Sequence, residues 1–143
     1  MDDVSGVAVY TDRIPSSESA IERAPTREEM SELLAGVAAA SQSARGRLKA
    51  LAHVVRVLRH CPWVGGALRV DLERDGEGTT SVHVFAEDGG RRERALPSAV
   101  LDVPLAQLRA VIRSNPDLFA PLKVREAATE GGKTGDALIL ASE

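Results

Sequence analysis

From Pro25 to Pro62 the chain contains no proline, and apolar side chains recur through that stretch every seven residues. Met30, Val37, Ala44, Leu51 and Leu58 form one series; Leu34, Ser41, Leu48 and Val55 form a second, offset by four. All but Ser41 are apolar. This is the a/d register of a coiled coil, and it predicts a helix that must bury one continuous seam. Thr26 with Glu29 makes a capping box at its start, and Glu28 and Glu32 suit the positive end of the helix dipole. Unbroken over residues 26–61, such a helix runs about 52 Å at roughly 1.5 Å per residue. Its centre is built from small residues (Gly36, Ala38, Ala39, Ala40, Ser41, Ser43, Gly46), which let a second helix approach closely. Each glycine weakens the helix by about 1 kcal/mol, so the alternative is an αα-hairpin broken near Gly46.

After Pro62 the period falls to two. Leu68, Val70 and Leu72 alternate with Arg69, Asp71 and Glu73, Asp75–Gly78 turns the chain, and Val82 and Val84 alternate with Ser81 and His83 on the return. Asp88–Gly90 makes a second turn into a third strand, Arg91–Leu96, at a charged edge. Asp102 is expected to cap a helix reaching Ser114, with Pro104 in its first turn and Leu105, Leu108 and Ile112 on one face. Leu122–Ala127 and Ala137–Ala141 read as a closing hairpin. The expected fold class is α+β, in the order α-βββ-α-ββ: a long N-terminal amphipathic helix, then a mainly antiparallel sheet of about five strands with one further helix. The division is a tail over 1–25, the heptad-patterned helix over 26–61 and a small α+β domain over 62–143.

Charge separates along the chain. The whole carries 18 basic and 21 acidic side chains. Acids dominate residues 1–32, and with Pro15 and Pro25 the first 25 residues read as a flexible acidic tail holding one apolar patch, Val7–Tyr10. Between Arg45 and His60 there is no acid at all. Arginine greatly outnumbers lysine, which suggests a GC-rich, bacterial source. No apolar run approaches the roughly 18 residues of a membrane span, and the Met1–Asp2–Asp3 start is the reverse of a basic signal region. A single cysteine, Cys61, forms no intrachain disulfide. The expected compartment is the cytoplasm.

The strongest candidate surface is the basic stripe. Arg45, Lys49, His53, Arg56 and His60 fall within about 80° on a helical wheel, with Arg59 on the flank. Such a stripe suits an acidic protein surface or phosphates. Against nucleic acid stand the acidic total and the scarcity of aromatic residues for base stacking. His53, His60 and Cys61 do not assemble a zinc site, since seven residues of helix hold the two imidazoles about 10 Å apart. Glu130–Gly135 contains Gly132–Lys133–Thr134, but Ala127 stands where a P-loop needs its first glycine, and a strand follows in place of a helix. No serine-hydrolase elbow, zincin helix, dinucleotide fingerprint or calcium loop is present, so no catalytic residue, metal or cofactor is expected.

The sequence therefore points to a non-catalytic protein-interaction or adaptor module. Self-association is expected through the seam Met30, Leu34, Val37, Ala44, Leu48, Leu51, Val55 and Leu58, with a protein partner on the basic stripe. The alternatives are a nucleic-acid-binding regulator using Arg45–His60 and, third, a small enzyme.

Overall fold

The structure, a computed structural model, describes residues 23–127 and 136–142. The element order is α1 (Arg27–Ala35), α2 (Ala44–Leu58), β1 (Ala67–Arg74), β2 (Thr79–Asp88), β3 (Arg91–Pro104), α3 (Leu105–Ser114), β4 (Lys123–Ala127) and β5 (Ala137–Ala141). The five strands form one antiparallel sheet in the order β3-β2-β1-β5-β4. The α+β class and the antiparallel sheet are as the sequence indicates.

The single long helix over 26–61 is not formed. The chain breaks over residues 36–43, upstream of Gly46, and local capping explains why. The Thr26–Glu29 capping box closes the start of α1, and Gly36 forms its C-cap. Ser43 then opens α2 by accepting from the Gly46 amide at 3.0 Å, while its own amide donates to Ser41 Oγ at 3.2 Å. The carbonyls freed by the break are met by Arg47, whose Nε donates to Ala38 at 3.0 Å and Ser41 at 3.1 Å. Alanine's helix preference is a weak prior that these side chains override.

The break does not disturb the seam. Met30, Leu34, Val37, Leu48, Leu51, Val55 and Leu58 are all buried, and only Ala44 is half-buried. They share one apolar cluster with Leu68, Val70 and Leu72 of β1, Val82 and Val84 of β2, and Leu138 and Leu140 of β5. The strand register explains that grouping: Val70 stands opposite Val84 and Leu140, and Leu72 opposite Val82 and Leu138, so the strands offer a single apolar face. The seam is thus covered by the chain's own sheet, and with α2 ending at Leu58 no 52 Å rod outreaches it.

Two further expectations are corrected. The third strand runs on from Leu96 to Pro104, with register shifts against β2 that let one long strand bend over the core. Asp102 belongs to that strand and does not cap α3; Pro104 holds the cap position, with no side-chain bond. Asp102 adopts a left-handed φ of 59°, and its carbonyl accepts from Arg47 Nη1 at 3.1 Å. At the other end of β3, Arg27 Nη1 donates to the Ala95 carbonyl at 3.0 Å and stacks on Trp63 at 4.9 Å. Trp63 Nε1 donates to Pro25 at 2.8 Å. Gly66 leads into β1 where a side chain would run into the Glu87 carbonyl.

Candidate functional site

α2 is built with two unlike faces. Leu48, Leu51, Ala52, Val54, Val55 and Leu58 are buried, while Arg45, Lys49 and His53 stand exposed on the opposite side. Arg56 is also exposed and donates Nη2 to the Leu118 carbonyl at 3.1 Å, tying α2 to the segment after α3. Arg59 is the C-cap and His60 lies in the turn beyond it, both exposed. The structure therefore brings all six sequence-picked stripe residues onto accessible surface. It separates them from Arg47, which is spent on the break and on β3.

The electrostatics of this face are one-sided. α2 contains no acidic residue, and among the described residues Arg45, Lys49, Arg56 and Arg59 enter no ion pair. Arg45 stands in the first turn, where the helix dipole disfavours a cation, and the Arg45–Lys49 pair repels at i,i+4. Each such term costs a few tenths of a kcal/mol. Some cations elsewhere are paired: Arg69 grips the buried Asp71 at 2.8 and 3.1 Å and Glu87 at 3.2 Å, and Arg74 meets Asp136 at 3.0 Å.

Cys61 is buried, and its Sγ lies 3.4 Å from the Val57 carbonyl. Burial pushes its thiol pKa up, the wrong direction for a nucleophile. The Gly132–Lys133–Thr134 triplet and the patch Val7–Tyr10 lie outside the described residues. Among the described residues no three His, Cys, Asp or Glu side chains converge on a metal position. No helix of the described residues is long and apolar enough to cross a membrane.

One polar cluster escaped the sequence reading. His83 Nδ1 lies 2.8 Å from Ser98 Oγ and 3.2 Å from Arg94 Nη1, and Arg94 also donates to Ser98 at 2.6 Å. Arginine only donates, so Nδ1 accepts and the imidazole proton sits on Nε2, 3.8 Å from Glu73 Oε1. Arg92 and Arg94 both stack on Phe85, at 4.8 and 5.1 Å. The serine, histidine and glutamate follow the order of a hydrolytic triad, but 3.8 Å is beyond hydrogen-bond reach and all the groups stand on strand surface. The cluster knits β2 to β3. Its only trace in the sequence is the alternation of polar residues with Val82 and Val84, which marks a strand face and no chemistry. Compared with known proteins, the chain matches no family model, no curated protein and no solved structure.

Proposed function

We propose that the protein is a non-catalytic adaptor module that receives an acidic segment of a protein partner on the exposed face of α2. The observation that carries this reading is the row Arg45, Lys49, Arg56 and Arg59, exposed and without a carboxylate among the described residues. From Arg45 to His60 the row extends about 22 Å, the length of a docked peptide helix of some four turns. Opposite charge on the partner relieves the repulsion along the row and steers encounter more than it tightens the final complex. A second copy would be met outside the heptad seam, whose members are occupied within one chain. The cytoplasm suits a single buried thiol.

The test is fluorescence anisotropy with a labelled polyglutamate peptide and, in parallel, a DNA duplex, at low and at physiological salt. The expected result is peptide binding that Arg45→Glu/Lys49→Glu/Arg59→Glu abolishes while the circular dichroism spectrum stays unchanged. None of these three side chains holds the fold together, so the variant isolates surface charge. Undiminished peptide binding by the variant removes the α2 face from contention. Tighter binding to the duplex, with a steep loss on adding salt, transfers the face to nucleic acid.

A further inference from the structure

The two edges of the sheet are finished differently. On β3 the carbonyls of Ala95 and Asp102 are taken by Arg27 and Arg47, and α1 lies against the strand. On β4, Lys123–Glu126 are exposed, and among the described residues no strand pairs with its outer side. An open edge offers a row of backbone donors and acceptors to any extended chain. Here it also borders a groove of about 700 Å³ between the end of α3, the segment 116–122 and β4 itself.

The strand register assigns the side chains of β4 to two faces. Val124 stands opposite Leu140, on the apolar face of the sheet, yet it is 38% exposed because it sits at the uncovered end of that face. Around it the groove presents Ile112, Leu122 and Leu138, all buried. Glu126, the other residue on this side, is drawn toward α3 by Arg109 at 3.0 Å and Arg113 at 3.5 Å. Lys123 and Arg125 stand opposite Ala141 and Ile139, on the reverse face, exposed and in no ion pair. The edge thus sets Val124 and an acid paired to α3 on one side and two cations, unpaired among the described residues, on the other, in the period of two that a strand reads.

We propose that the open edge of β4 captures an extended segment of another protein as a sixth strand, and that this segment alternates apolar and acidic side chains. Its apolar residues enter the groove beside Val124, and its carboxylates stand across from Lys123 and Arg125. Backbone pairing along β4 spans about 17 Å and supplies affinity, while the alternation supplies register and selectivity. The charged residues of a short edge ordinarily serve to repel other strands. In β4 the cations occupy one face, and on the other Glu126 is engaged by Arg109 and Arg113, which leaves Val124 exposed beside the apolar residues of the groove. This surface is distinct from the α2 face and does not depend on it.

The experiment uses the full chain, isotope-labelled for amide NMR, titrated with a synthetic peptide of alternating valine and glutamate. A peptide of the same composition with all glutamates first serves as the control. The expected result is that the amides of Lys123–Ala127 move with the alternating peptide, that the block peptide binds about tenfold more weakly, and that Lys123→Glu/Arg125→Glu weakens binding by about tenfold or more. Arg45→Glu/Lys49→Glu should leave this binding unchanged, which separates its failure from that of the α2 reading. The proposal is overturned if both peptides bind alike, if the shifts map to α2, or if the β4 amides are already protected in a chain of twice the monomer mass. The last result would place a second copy at this edge.

Discussion

Two carboxylates show how single residues set the response of this fold to acid. Asp75 receives the Thr79 hydroxyl and the amides of Glu77 and Thr79, the latter two at 2.9 and 3.0 Å. The Thr79 hydroxyl is the main reason its pKa lies below the ordinary aspartate value. Glu29 is lowered first by the Thr26 amide, at 2.8 Å, and then by Arg23. A folded-state pKa below the unfolded value means that the unfolded chain binds protons first as pH falls. Stability from both groups is therefore present at neutral pH, and is lost as pH drops from the ordinary carboxylate range, about 4, through their folded values. Urea unfolding at pH 7 and pH 3 should show a smaller acid loss in Asp75→Asn and in Glu29→Gln than in the parent. An unchanged acid loss in both variants would show that these turns do not govern it.

At the scale of elements, the decisive event is the interruption between α1 and α2. Gly46 sits in the first turn of α2, where replacing glycine by alanine ordinarily stabilises a helix by up to about 1 kcal/mol. Here a new methyl group collides with the Ser41 side chain, itself fixed by the Ser43 amide. Gly46→Ala is expected to destabilise by about 1–3 kcal/mol, the cost of overpacking, so thermal denaturation should report a sign opposite to the helix scale. The elements legible from sequence were those whose signals are local: the Thr26–Glu29 box, the alternation in β1 and β2, and the closing hairpin. The break was not. Ser43 has a capping side chain but lacks the acidic partner of a capping box, and the heptad count runs straight across it. Arg47, the residue that makes the break tenable, bonds to Asp102 from 55 positions away, which no local pattern encodes.

At the scale of the whole molecule, the seam and the stripe are two sides of one helix with separate tasks. Leu51 is fully buried, and Leu51→Ala should cost about 2–5 kcal/mol by chemical denaturation. Light scattering should find its mass equal to that of the parent, because the seam packs on the chain's own sheet; a fall in mass would return the seam to assembly. The stripe could be read from the helical wheel because exposure on α2 follows directly from what it buries. The β4 groove could not, since it needs α3, the segment after it and β5 brought together, and Lys123–Glu126 alone reads as a charged edge.

The unequal finish of the two sheet edges also bears on how strand addition would propagate. In the language of polymer chemistry, a sheet open at both ends is a bifunctional monomer and can propagate without limit. In this one the two ends differ, because Arg27 and Arg47 occupy two carbonyls of β3 and no such bond is made to β4 among the described residues. On the proposed reading, addition at β4 consumes the less obstructed end, and the arginines on β3 disfavour propagation from the other.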